Sequence, residues 1–362
     1  MGIPLINLVV AGLLFAVAQA FPSGGHQHKC PPFNKGNFTV SQFQLYPENA
    51  IWDDRHCVVY FASLFNGSVV VYDPYRDKVN KILEFPGITN VLGQHASGLD
   101  YDPVTNLLSV VIDSQNPFLT EGADVSGDNW LLKYDLTRNK ELWRTNLTAV
   151  TKGLWGGFQD VSVDTRGNSY VIGTYPKSVI KVTPRGKASV YFPPQTNDTT
   201  VHGYTGTAHA GNTMLVVDNN GTPESSATGN SEIYRFDLSS GSPHGTPVLV
   251  PRTPHTAIGE ADKIHLPQAY GGTVLLVAED LRGLTVLRSL DGWHTAEHRG
   301  FIPSDFPVFF QKIVPSSIQI GPTKNYLIGQ YFPGEFVPGT NSGNRSDFPM
   351  FDLTAQIDAL LA

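Results

Sequence analysis

Six times along the chain, a short apolar run is followed by a turn rich in Gly, Asn or Asp. A second, strongly apolar run comes next, then another turn and a run that closes on a tripeptide like "YDP". The copies open at "ENAIWDDRHCVVYFASLFNGSVVVYDP", "SGLDYDPVTNLLSVVIDS", "QDVSVDTRGNSYVIGTYPKSVIKVTP", "TGTAHAGNTMLVVDNN", "ADKIHLPQAYGGTVLLVAEDLRGLTVLRS" and "SSIQIGPTKNYLIGQYF". Their spacing of roughly 40 to 60 residues is that of propeller blades, each a sheet of four antiparallel strands set around an axis. The chain is therefore predicted to be all-β, a six-bladed β-propeller. The second run of each copy is apolar on successive residues, as expected of a strand packed on both faces between neighbouring sheets. A pair of β-sandwiches would not explain the repeat.

Residues 36–45, "GNFTVSQFQL", alternate apolar and polar and are predicted to supply the outer strand of the last blade, so closing the ring and removing an exposed edge. Only the terminal "TAQIDALLA" reads as a helix. The predicted organisation is a signal peptide over 1–20, a flexible arm over 21–35 and one propeller domain over 36–362.

The opening "MGIPLINLVVAGLLFAVAQA" is uncharged, apolar and too short for a comfortable bilayer span, and Ala18-Gln-Ala20 has the small-x-small spacing of a signal-peptidase site. Secretion is the expectation. Six N-x-S/T sequons, at Asn37, Asn66, Asn146, Asn197, Asn220 and Asn344, fit a glycosylated secretory protein. The two cysteines, Cys30 and Cys57, could pair in an oxidising compartment and clamp the arm to the first blade, or stand as separate thiols. Charge is low and slightly acidic, net -7, with no block of Lys or Arg, which argues against nucleic acid and anionic membrane as partners. No later segment is long and apolar enough to span a bilayer, and a monomer is expected.

In a propeller the residue that opens each innermost strand faces the axis, so six of them converge on one concave site. By the repeat these are Glu48, Ser97, Gln159 or Asp160, Thr205, Asp262 and Ser317. Two convergent carboxylates in a partly dry channel raise one another's pKa, which makes Glu48 and Asp262 the candidate general acid and base. Tyr204, Trp155, Phe158, Tyr331 and Phe332 are candidate aromatic walls over that polar floor, and His95 and His202 lie near strand starts from which they could reach it.

The phrases "LYPENAIWD", "LFNGSVVVYDP", "DTRGNSYV", "GYTG", "ADKI" and "NRSDFPMFDL", in that order, resemble the secreted fungal propeller family of the trichothecene-cluster accessory protein fourteen and a Malassezia skin allergen. More distantly the blades look like those of the senescence-marker/gluconolactonase propellers. The resemblance implies a role in fungal sesquiterpenoid toxin production or virulence, with a terpenoid or lipid bound in the propeller mouth by residues such as Gln159, Asp160, Tyr204, Thr205 and His95. The distant relatives hold a divalent cation with an acid and Asn oxygen set. Carried over, this implies Glu48 and Asp262 as ligands, with Ca²⁺ the ion that oxygen donors suit. Here Gln159 and Thr205 stand where Asn ligands are usual, which leaves a weaker donor set. The rival functions are a Ca²⁺-dependent lactonase or esterase, a terpenoid ring-closing enzyme, and a non-catalytic surface protein of the allergen type.

"HTAEH", His294 to His298, spells a zinc-peptidase motif, but it falls in an outer-strand region where both His share a face while Glu297 points the other way, and no third ligand is apparent, so the peptidase reading is set aside. His26 and His28 fall in the arm and read as solvated linker. No nucleophile elbow, phosphate loop or dinucleotide fingerprint is present.

Overall fold

The computed structural model describes residues 30–221, 231–239, 241–280, 282–304, 312–331 and 334–362. The predicted signal peptide, His26, His28 and Phe332 lie outside these residues, as does the side chain of Asn220. The strands form six antiparallel sheets arranged as a six-bladed propeller. The innermost strands are Pro47–Asp53, Gln94–Asp102, Gly156–Val163, His202–Ala210, Ala261–His265 and Lys312–Ile320, which open blades 1 to 6 in chain order. Arg252–Thr253 adds a fifth, parallel strand outside blade 5.

The double burial of the second strands follows from the two-residue period. In Val58–Ser63 of blade 1, Val59 and Phe61 pack toward blade 6, while Val58, Tyr60 and Ala62 pack toward blade 2. Each gap between neighbouring blades is filled in this way, so the hydrophobic core is six wedges rather than one mass. The wedge between blades 5 and 6 is capped by the C-terminal helix, Thr354–Leu361, through Ile357.

Blade 6 is closed by the chain's beginning. Phe38–Ser41 pairs antiparallel with Asp347–Asp352, Phe38 opposite Met350 and Ser41 opposite Asp347, which covers an edge that would otherwise expose unpaired amides. The arm expected to be flexible over 21–35 is tied down in its described part. Cys30 is disulfide-bonded to Cys57 with a Cα–Cα distance of 5.5 Å, Phe33 is buried edge-on against Phe38, Tyr75 and Tyr326, and Tyr75 donates to the Pro31 carbonyl. The physical reason is that the seam between blades 6 and 1 needs an aromatic plug, and Phe33 supplies it.

Candidate functional site: an acid ring around a lysine

All six innermost strands carry a register shift near their start: between Pro47 and Ala50, Ala96 and Leu99, Phe158 and Asp160, Tyr204 and Gly206, Ala261 and Ile264, and Ile313 and Ser316. A bulge breaks the alternation of side chains, so two successive residues can face the same way. That is how Asp262 and Lys263 both reach the axis.

Lys263 is among the largest fully buried side chains of the protein. Its ammonium donates to the backbone carbonyls of Gln159 at 3.1 Å and Thr205 at 3.4 Å. It lies 3.5 Å from Asp262 Oδ1 and 3.8 Å from Glu48 Oε1. Glu48 and Asp262, from blades 1 and 5, are thus brought together with Lys263 between them. Gln159 joins the group by donating its amide to Asp262 Oδ1 at 2.7 Å, while its own carbonyl lies 3.0 Å from the Thr174 hydroxyl.

Below this layer a second belt crosses the axis. Ser316 donates to Asn49 Oδ1 at 3.3 Å, and Asn49 donates to Asp160 Oδ1 at 3.2 Å. The Thr207 amide donates to Asp160 Oδ2 at 2.9 Å. Blades 6, 1, 3 and 4 are held by these side chains.

Electrostatics follow from one cation and many acids in a dry place. Burial pushes the Glu48 carboxyl up, against the opposing pull of Lys263, Gln330 and Gln159. Burial raises Asp262, Asp113 and Asp280 well above the carboxylate range, and the acids in the group push one another further in the same direction. Asp160 is pushed up to about 7, again by burial. Burial alone would lower Lys263, but Asp262, Asp160, Glu48 and Asp113 together raise it, so it stays charged. Each acid of the group is thereby easier to protonate than a free carboxyl.

Three of these residues, Asp113, Asp280 and Gln330, were not anticipated. They come from the second strands, whose apolar runs close on a polar residue in five blades: "VVID", "VIGT", "LVVD", "VAED" and "LIGQ" end on Asp113, Thr174, Asp218, Asp280 and Gln330. That recurring polar end was the available signal. Lys263 was missed because strict alternation after Asp262 would turn it away from the axis.

A cavity of about 290 Å³ continues along the axis from this group toward the opposite end of the inner strands. Its walls include Trp52, Leu99, Tyr101, Ile264, Leu266 and Ile318, and its polar lining includes Asn49, Asp160, Ser317 and His265. Ser317 is buried with no hydrogen-bond partner for its hydroxyl, and the same holds for Nδ1 of His265, whose imidazole burial lowers to about 4 and keeps neutral.

The expected aromatic walls lie elsewhere. Tyr204 is packed between blades 3 and 4 against Phe192 and Phe236, Phe158 is core between blades 2 and 3, with Trp155 against it, and Tyr331 is core between blades 6 and 1, with Arg345 stacked on its ring. The bulges explain this, because they hand the axial position to a neighbouring polar residue and leave the ring to the wedge. Thr205 lines the axis but commits its hydroxyl to the Ala261 carbonyl at 2.7 Å. His95 sits at the start of the blade 2 strand, edge-on to Phe65 and lowered by burial to about 4, and His202 packs edge-on to Tyr175.

The residues present do not fit the expected Ca²⁺. The place between Glu48 and Asp262 is filled by the Lys263 ammonium, the Gln159 amide turns its nitrogen toward Asp262, and no group of three metal-binding side chains occurs among the described residues. Of the sequons, Asn37, Asn197 and Asn344 are exposed. Asn66 and Asn146 are half-buried and engaged, the first donating to the Gln44 carbonyl and the second capping the short helix Leu147–Thr151. His294 lies in the turn before the strand Ala296–Pro303, so "HTAEH" forms no helix. Among the described residues no helix is long and apolar enough to cross a membrane.

Comparison with known proteins places this arrangement in context. The chain is 33% identical over 355 residues to the trichothecene biosynthesis protein 14 of Trichoderma arundinaceum, covering 92% of each. It is 31% identical over 359 residues to the core trichothecene cluster protein 14 of Fusarium sporotrichioides, covering 93% of this chain and 90% of that one. The crystal structure of the major Malassezia sympodialis allergen Mala s 1 superposes with a TM-score of 0.69 at 19% identity, over 88% of this chain and 96% of the allergen, and so shares its fold. A family model described as Mal s 1 allergenic protein-like matches residues 31–306, a span that takes in the first five blades and both Glu48 and Lys263. The six blades and the length-wide likeness agree, and the chain belongs to the Mal s 1 allergenic protein-like family.

Proposed function

We propose that this protein serves the biosynthesis of a trichothecene-type sesquiterpenoid by holding a terpenoid in the axial cavity. The length-wide similarity to two proteins named for that pathway supports the role. The observation that carries the binding reading is the cavity itself, near 290 Å³, whose lining mixes apolar side chains such as Trp52 and Ile264 with Asp100, Asp160, His209 and unpartnered Ser317. An apolar skeleton with a few oxygens is the ligand such a lining suits, since the apolar side chains bury carbon and the polar ones fix orientation. Asp160 favours a second reading on the same site: a carboxyl poised near 7 can both give and take a proton, which suits ring closure by positioned acid catalysis.

The test is calorimetric titration of the purified chain with oxygenated sesquiterpenoids of the pathway, followed by mass spectrometry of the incubated ligand. Saturable binding that Ser317→Phe abolishes, with the fold retained, is the expected result. No binding of any oxygenated sesquiterpenoid would end the reading, and a changed product mass or retention would select the ring-closing form. Passage through the secretory pathway belongs to the same proposal and is supported by the disulfide and the exposed sequons. Secreted protein whose mobility endoglycosidase leaves unchanged would count against glycosylation.

A further inference from the structure

Where carboxylates from several blades meet on the axis of a propeller, a positive charge among them stabilises the group. Here that charge is part of the chain. Lys263 has three N–H donors, and around them stand two backbone carbonyls and two carboxylates: Gln159 of blade 3, Thr205 of blade 4, Glu48 of blade 1 and Asp262 of its own blade 5. We propose that Lys263 is a built-in cation, which crosslinks the inner strands of four blades and makes the axial site independent of metal.

Distance decides between the ammonium and a metal ion. The four oxygens stand at 3.1, 3.4, 3.5 and 3.8 Å from Nζ, whereas Ca²⁺ takes six to eight oxygens at about 2.3 to 2.6 Å. To serve Ca²⁺ each oxygen would move inward by about 0.5 to 1.5 Å, and two of them are backbone atoms of inner strands. Those strands are closely fitted: a Cβ built on Gly206 would stand 2.7 Å from Asp262 O and from Lys263 Cα, and one on Gly98 would stand 2.6 Å from Asp160 Cα. The cage is cut to the size of an ammonium.

The charged and titratable groups that face Lys263 are Glu48 from blade 1, Asp113 from blade 2, Asp160 from blade 3, and Asp262 and Asp280 from blade 5, while blade 4 contributes the Thr205 carbonyl, and the neutral Gln330 of blade 6 faces Glu48. Removing the ammonium therefore leaves an uncompensated ring of acids, and the damage depends on how many of them are ionised. Raising the pH ionises more of these buried acids, so the damage grows with pH.

The inference does not rest on the terpenoid reading and is tested without ligand. Thermal unfolding and calorimetry of the purified chain, with chelator or with millimolar Ca²⁺, should give the same Tm within about 1 °C and no saturable heat. Lys263→Met should lower Tm at pH 8 by about 4 to 7 °C, with a clearly smaller loss at pH 5. A lysine that merely fills space would give equal losses at both pH values, and that result would overturn the proposal. Stoichiometric Ca²⁺ binding that raises the wild-type Tm would overturn it as well, and it is decisive even if Lys263→Met does not fold.

Discussion

Asp160→Asn should uncouple the stability of the propeller from pH. Asp160 is 2% exposed, and its folded-state carboxyl is raised by burial from 3.8 to about 7. A raised carboxyl means that the folded protein holds the proton more tightly than the unfolded chain. Below pH 3.8 both states are protonated and this contribution is fully present. Between about 4 and 7 the unfolded chain releases the proton and the folded one does not, so stability falls with rising pH. At 1.36 kcal/mol per unit, and with the slope halved as pH reaches 7, the span from pH 5 to pH 7 amounts to about 2.3 kcal/mol from this residue, and Asp113, Asp262 and Asp280 act in the same direction.

Asparagine carries no proton to lose, so its share of the slope disappears. The variant also turns a donor toward either the Thr207 amide or the Asn49 amide, both of which now donate to Asp160; one lost buried hydrogen bond costs about 1 to 3 kcal/mol. Denaturant unfolding at pH 5 and pH 7.5 should therefore show the variant weaker than wild type at pH 5 and close to it, or stronger, at pH 7.5. Parallel pH curves for the two proteins would refute the reasoning, because they would mean that Asp160 titrates alike in both states.

Gly206→Ala should destabilise the protein by about 1 to 3 kcal/mol and weaken ligand binding, since the new Cβ meets backbone of the blade 5 inner strand at 2.7 Å and that strand carries Asp262 and Lys263; a normal melting temperature would contradict it. Cys30→Ser with Cys57→Ser opens a loop spanning 27 positions, worth about 3 to 4 kcal/mol by chain entropy, and should make the segment around Phe33 a protease site in limited digestion. Deleting residues 30–41 should shift the protein toward aggregate on gel filtration relative to the full chain, because Asp347–Asp352 loses its partner and presents a bare edge.

The fold was legible because a repeat leaves its mark on every copy. Alternating or doubly buried runs, punctuated by turn residues, follow from the pleat and from burial between sheets, and both are local properties of the chain. Closure of the ring by residues 36–45 was legible for the same reason: the alternation marked a strand, and a last blade with three strands lacked one. The acids Glu48 and Asp262 could be placed on the axis from their position at strand starts. The walls could not. Tyr204 and Phe158 stand next to those starts, and whether a ring faces the axis or the wedge turns on a bulge of one residue.

By itself, then, the order of residues determined the six blades, the closing strand and the convergence of acids from separate blades. The tertiary structure alone decided that Lys263 stands among those acids, that the ligand-sized space lies beyond them toward the far ends of the inner strands, and that Tyr204 belongs to the core. The reason is physical: periodicity is a property of neighbours along the chain, whereas the identity of the cation facing Glu48 depends on side chains more than two hundred positions apart and on the bulge that turns Lys263 inward.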